Sequence, residues 1–138
     1  AAEVVVIAPA TADLIARLVH GVAPDALTAV ALASPAPLIV CPAMDVEMWR
    51  NRATQDNVAA LRRRGVAIVE PETGELASGL EGPGRLAALD RIGAAVERAV
   101  EDHRSLLRSA ESRQARGGTG AADPFDLSGR RETDDQLF

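Results

Sequence analysis

Side chains able to do chemistry are few among these 138 residues, and most fall in three short segments. The first reads Ala8-Pro9-Ala10-Thr11-Ala12-Asp13 and offers a hydroxyl, a carboxylate and backbone amides. The second, Pro42-Ala43-Met44-Asp45-Val46-Glu47-Met48-Trp49, sets a carboxylate among two thioethers and an indole. The third, EPETGELASGLEGPGR over residues 70–85, carries Ser78, Gly79 and Arg85. A carboxylate such as Asp45 holds or releases a proton according to burial and nearby charge. The Ser78 hydroxyl does not titrate in the accessible range and is a poor acid beside a thiol, which titrates near ~8.5. No cluster of Cys and His has zinc spacing. Cys41, the single cysteine, precedes Pro42 inside a predicted strand and reads as a small core residue rather than a nucleophile.

The elements that must position these segments follow from the apolar pattern. Residues 4–8 form a continuous β-branched run, as in a strand buried on both faces, with a loop over 9–11. Leu14, Ile15, Leu18 and Val19 then predict an amphipathic helix over 12–20, stopped by Gly21. A second helix starts at Pro24 or Asp25, with Pro24 placed for the first helical position, and runs to Ala33, before Pro35 and Pro37. Residues 38–41 are the next strand, 54–64 a third helix closed by Gly65, and 66–69 a third strand. Strand and helix alternating at this spacing predict an α/β fold with a parallel sheet covered on both faces. Residues 70–85 read as a loop long enough to be functional. A helix resumes over 86–100, followed by a linker from about 102 to 124 that is expected to be mobile. In an open parallel sheet, ligands bind beyond the carboxyl ends of the strands. Each chemical segment alone is an ordinary strand-to-helix connection; since all three begin at strand ends, they are expected to converge.

Composition sets the outer bounds. Fifteen basic against twenty acidic residues give a net charge of −5, which argues against nucleic acid or an anionic membrane as partner. Asp13, Arg17, His20 and Asp25 interrupt the richest apolar stretch, so no run reaches the ~18 residues of a membrane span. One cysteine cannot form an internal disulfide, and a reduced, cytoplasmic compartment is the default expectation. All fifteen basic residues are arginine, a bias of codon usage more than of function. A buried strand directly after Ala1 suggests an internal piece of a longer protein.

PATADLIARLVHG, PAMDVEMW followed by RATQDNVAALRRRGV, and GELASGLEGPGRL resemble, in order and near-spacing, three motifs of the flavin-dependent cysteine decarboxylases. The similarity covers residues 1 to about 100 and is greatest to the decarboxylase half of bacterial bifunctional phosphopantothenoylcysteine decarboxylase/phosphopantothenate–cysteine ligases. Pro124-Phe125-Asp126-Leu127-Ser128-Gly129-Arg130 resembles the segment that opens the ligase half. The resemblance implies residues 1–101 as the C-terminal part of a three-layer αβα, flavodoxin- or Rossmann-like decarboxylase domain, 102–124 as a linker, and 125–138 as the start of a truncated ligase segment. It implies FMN bound where protomers of a homotrimer or higher homo-oligomer meet, and a small-molecule thiol substrate. In that family FMN oxidises the thiol of a C-terminal cysteine-like group, carbon dioxide leaves, and the ene-thiol is reduced. Pro9, Ala10, Thr11, Ala12 and Asp13 would line the flavin, unless Thr11 serves only as a helix cap. Ala43, Met44, Asp45, Met48, Gly79 and Arg85 would contact the substrate, and Asp45 and Ser78 would stand at catalytic positions. Met44, Met48 and Trp49 read equally well as packing under the flavin edge or as core.

Three departures from the family pattern matter. Asp45 stands where the family usually has asparagine; an ionised Asp45 ~4 Å from a substrate carboxylate, at an effective dielectric of 20, would be repelled by about 4 kcal/mol. Asp45 is then protonated, turned away, or a source of weakened binding. Ser78 replaces the cysteine that supplies a proton in many members, and Leu80 a common aspartate. The family's catalytic histidine and glycine-rich phosphate loop lie N-terminal to the strand that opens this chain, and neither His20 nor His103 takes that role. The chain alone is thus expected to be inactive. Two other readings stay open: a decarboxylase of C-terminal peptidyl cysteine, and a non-catalytic partner subunit of the same fold.

Overall fold

Runs of valine and isoleucine form a sheet here, but whereas residues 39–42 are buried on both faces, Val6 and Ala8 of the first run are exposed, contrary to the burial expected of that strand. In the computed structural model, which describes residues 2–117, strands β1 (Val5–Ala10), β2 (Leu38–Pro42) and β3 (Ala67–Ile68) lie in the order β1-β2-β3, all parallel. Val5 pairs with Leu38, Ile7 with Val40, and Ile39 with Ala67. Alternation along β2 splits the core in two. Val40 joins Ile7, Ile15, Val19, Val58 and Leu61 beneath α1 (Ala12–His20) and α4 (Arg52–Arg63). Ile39 and Cys41 face the other way, with Val69, Ala87 and Ile92 beneath α5 (Leu89–Arg116). Helices on both faces of a parallel sheet give the expected three-layer αβα arrangement.

Local chemistry fixes the helix ends. The Thr11 hydroxyl accepts from Leu14 N–H at 3.2 Å, and Gly21 ends α1 in the left-handed region at φ 67°. α2 (Ala26–Ala33) begins two residues later than Pro24 would dictate, because Asp25 and Thr28 form a reciprocal capping box in which the Asp25 carboxylate accepts from Thr28 N–H at 2.8 Å. β1 continues through Pro9 to Ala10, so the loop expected over 9–11 shrinks to Thr11.

Two further corrections are larger. The stretch 70–85 is not a plain loop: β4 (Glu72–Glu75) and β5 (Glu81–Arg85) pair antiparallel as a hairpin, preceded by a short helix α3 (Val46–Arg50) that the pattern did not signal. The linker expected from residue 102 is helical as far as Arg116. Neither glycine nor proline occurs between Gly93 and Gly117, so nothing stops the helix, and Arg104 clamps it to Glu3 through two hydrogen bonds of 2.7 and 2.9 Å. The linker residues 118–124 and the ligase-like segment 125–138 lie outside the described residues.

Candidate functional site

The carboxyl end of the sheet is where the three chemical segments meet. Ala43 N–H donates to the Ala10 carbonyl at 3.0 Å, joining the segment after β1 to the segment after β2. Met44 N–H donates to the Gly84 carbonyl at 2.9 Å, joining that segment to the hairpin. Between them lies an open cavity of about 330 Å³, its wall including Ala43, Met44, Asp45, Glu75, Gly84 and Arg85.

Asp45 is the N-cap of α3 by backbone conformation, at φ −63° and ψ 154°, but its carboxylate makes no capping hydrogen bond. Among the described residues it has no ion-pair partner either, so it is half-buried on the cavity wall with its acceptors open. Arg85 likewise has no carboxylate within salt-bridge distance, its chain lying across Gly74 at 3.1 Å from where a Cβ would be. The acids of β4 contrast with each other. Glu72 accepts from Ala88 N–H at 3.1 Å and from Arg91 at 3.2 Å, which with the charge of Arg85 hold its carboxyl below the usual range. Glu75 has no such partner among the described residues, stands opposite Glu81 across the hairpin, and faces the cavity.

The remaining sequence candidates take varied places. Ser78 and Gly79 lie at the hairpin tip, off the cavity wall: the exposed Ser78 Oγ accepts from Leu80 N–H at 3.5 Å, and Gly79 sits at φ 81°. Met48 is half-exposed on α3, whereas Trp49 is buried among Ile7, Ile15 and Val58, which makes it core. Thr11 acts as the cap that the sequence allowed, and Asp13 pairs with Arg17 at 2.9 Å. Ala10 is buried, and Pro9 is exposed beyond a cis peptide. The amides of Ala12 and Asp13, first in α1, have no intrahelical acceptor and remain available to a ligand. Cys41 is fully buried, and desolvation raises its thiol above the ordinary value, as befits a core residue. Glu75, Leu76 and Leu86 escaped the sequence reading; the one available signal was their place in a hairpin, hidden because glycine and proline fill β5. No group of His, Cys, Asp and Glu suited to a metal occurs among the described residues, and no helix there is long and apolar enough to cross a membrane.

A parallel sheet layered by helices, with a mostly apolar cavity between the segment after β2 and the hairpin, defines an αβα domain of the class that takes ligands at strand ends. The flavoprotein family matches residues 1–101, and the chain belongs to that family. It is 42% identical over 130 residues to the coenzyme A biosynthesis bifunctional protein CoaBC of Mycobacterium tuberculosis (strain ATCC 25618 / H37Rv), covering 94% of this chain and 27% of that protein. The chain thus spans about a quarter of that relative's length. Among solved structures it resembles a PPC decarboxylase mutant complexed with pantothenoylaminoethenethiol, with TM-score 0.70 and 33% identity over 72% of this chain and 56% of that one. It also resembles the FMN-dependent cysteine decarboxylase SpaF, with TM-score 0.61 and 38% identity over 75% and 53% of the two chains.

Proposed function

We propose that this chain forms the strand-end half of the site of an FMN-dependent decarboxylase that converts 4'-phosphopantothenoylcysteine to 4'-phosphopantetheine in coenzyme A biosynthesis, in the cytoplasm and as a homotrimer or higher homo-oligomer. The observation that carries this reading is that the Ala43–Ala10 and Met44–Gly84 hydrogen bonds bring all three motifs together at one end of the sheet, with the second and third of them walling one cavity. The residues present fit one end of the cofactor. The open amides of Ala12 and Asp13 and the exposed Pro9 suit a flat ring edged with acceptors, with Ala10 and Thr11 behind them, while nothing among the described residues cradles a phosphate.

Bound FMN supplies two-electron oxidation of the substrate thiol, which makes loss of carbon dioxide easy. The protein's share is positioning. Arg85, unpaired at the cavity wall, takes the substrate carboxylate as a charge-assisted hydrogen-bond partner. Asp45, its acceptors open, takes an N–H or O–H donor of the substrate in place of the carboxylate, which answers the repulsion expected of an ionised Asp45. Met44 packs against the core and holds the wall next to it. Ser78 reaches the cavity only if the hairpin tip moves. A decarboxylase of peptidyl cysteine is the second reading, favoured by a serine in place of cysteine at the exposed tip. The first test is a visible absorption spectrum of the chain after mixing with FMN and gel filtration. Retained flavin absorbance supports the reading, and turnover of phosphopantothenoylcysteine against a peptide ending in cysteine then separates the two substrates. A colourless protein counts against a flavin site built from these residues alone.

A further inference from the structure

Two glycines of β5 come closer to the segment after β2 than any side chain would permit. A Cβ on Gly82 would lie 2.7 Å from Val46 Cγ2 and 3.2 Å from Val46 Cβ. A Cβ on Gly84, where φ is 152°, would lie 2.1 Å from the Met44 carbonyl oxygen. Across the same contact Met44 N–H donates to the Gly84 carbonyl at 2.9 Å, and Gly82, Gly84 and Val46 are all buried. The hairpin tip is different. Its hydrogen bonds are to itself, Leu76 N–H to the Leu80 carbonyl at 2.8 Å and Gly79 N–H to the Leu76 carbonyl at 2.9 Å. The space where a Gly79 Cβ would point is open for at least 4 Å.

We infer that Gly82 and Gly84 are positioning residues: they pin the base of the hairpin to residues 43–46, so that this base is a fixed wall which sets the place of Asp45. Only the tip, residues 76–80, is then free to move over the cavity. The inference rests on the proposed function only in calling that cavity a substrate site. A flap hinged at its base would have to break the Met44–Gly84 hydrogen bond and carry two close backbone contacts with it. Motion confined to the tip breaks neither, and it swings Leu76, Ala77 and Ser78 while Glu75 and Arg85 stay in place.

Residue-resolved hydrogen exchange on the full 138-residue chain, without ligand, tests this. In the unmodified protein the Met44 amide is expected to exchange at least about tenfold more slowly than those of Ser78 and Gly79. Gly84→Ala should speed Met44 exchange by about tenfold while Val40 and Val58 stay within about twofold of their original rates. Gly82→Ala should do the same, and adding Val46→Ala should bring the Met44 rate back to within about threefold of that in Val46→Ala alone, because the lost methyls leave room for the new Cβ. A general loss of packing would not be repaired in that way. Gly79→Ala should disturb the tip and leave Met44 protected. If either glycine variant fails to fold, the unmodified rates and the Val46→Ala rescue still decide. Met44 exchanging as fast as the tip, unaltered Met44 exchange in Gly84→Ala, or absence of rescue would overturn the inference. No flavin is present in these measurements, so a protein that fails to bind FMN contradicts the proposed function and not the pinned base.

Discussion

The sheet-and-helix body and the β4–β5 hairpin stand side by side on one strand-end face, yet they are held by different forces. The body is stabilised by apolar burial: Ile15, Ile39 and Val40 have no exposed surface at all. The hairpin buries hardly any large side chain. It is kept in place by backbone contact through Gly82 and Gly84, and by Glu72 holding Ala88 and Arg91. Apolar burial fixes a scaffold to within the width of a methyl group, whereas glycine contacts and polar pairs fix a segment's approach and leave its end free. A rigid body carrying one partly free wall is an arrangement suited to a site that must admit a substrate and then cover it.

The contrast is broken most sharply by a hole in the body. Ile39→Ala, at a fully buried position between β2 and α5, is expected to lower stability by about 2–5 kcal/mol, read as a fall in the urea midpoint at constant slope. Leu80→Ala, at a half-exposed position on the tip, should stay within about 0.5 kcal/mol in the same measurement. Equal losses would mean that the hairpin is as much core as the sheet.

Next in size are changes at the cavity that should spare stability. Arg85→Ala is expected to weaken binding of an N-acylcysteine carboxylate by about 1.5–3 kcal/mol, roughly ten- to a hundredfold, through loss of a charge-assisted hydrogen bond. Asp45→Asn keeps the shape but replaces a charged acceptor by a neutral one, so calorimetry with the same ligand should show affinity falling by about tenfold or less. A tighter complex in Asp45→Asn would mean that Asp45 repels the ligand carboxylate rather than accepting one of its donors. At the body's edge, Asp25→Ala removes one half of the α2 capping box and should cost about 1 kcal/mol, again read from the urea midpoint.

Legibility from sequence followed the same division. Residues 4–8, 38–41 and 66–69 announced strands through β-branched runs, and Leu14, Ile15, Leu18 and Val19 announced α1, because strand and helix each leave their own apolar spacing; the exposure of Val6 and Ala8 in β1 left no such trace. β5 is Glu-Gly-Pro-Gly-Arg, a string of residues that strands usually avoid, and it pairs as a strand because its glycines allow close approach to Met44 and Val46. That is a tertiary fact with no local signature. The candidate site shows the same split. Asp45, Met44 and Arg85 were legible from motif and strand-end position, whereas Glu75 required the hairpin register, and the exclusion of Ser78 from the cavity wall required the turn at the tip.

The smallest expected effect concerns a place where a polar clamp acts on the body itself. α5 packs beneath the sheet through Ile92, Ala95, Val96 and Ala99, and farther along it is tied to the chain start by Arg104 and Glu3. The hydrogen bond from Arg104 is the main reason that the Glu3 carboxyl lies below its ordinary value, while the same contact raises the Arg104 guanidinium. A carboxyl lowered in the folded state contributes fully above its unfolded value, and that contribution is lost as pH falls through the folded one. The clamp should therefore hold at neutral pH and release on acidification into and below the ordinary glutamate range. Both side chains are about half exposed, so the effect on global stability should be slight. Local opening is the better measure. Amide exchange over the last turns of α5, corrected for the intrinsic pH dependence, should quicken as Glu3 protonates, and Glu3→Gln should show the quicker rate at every pH. If the two proteins fray alike at neutral pH, the far half of α5 stands by helix propensity alone, and the polar fastening seen at the hairpin has no counterpart in the body.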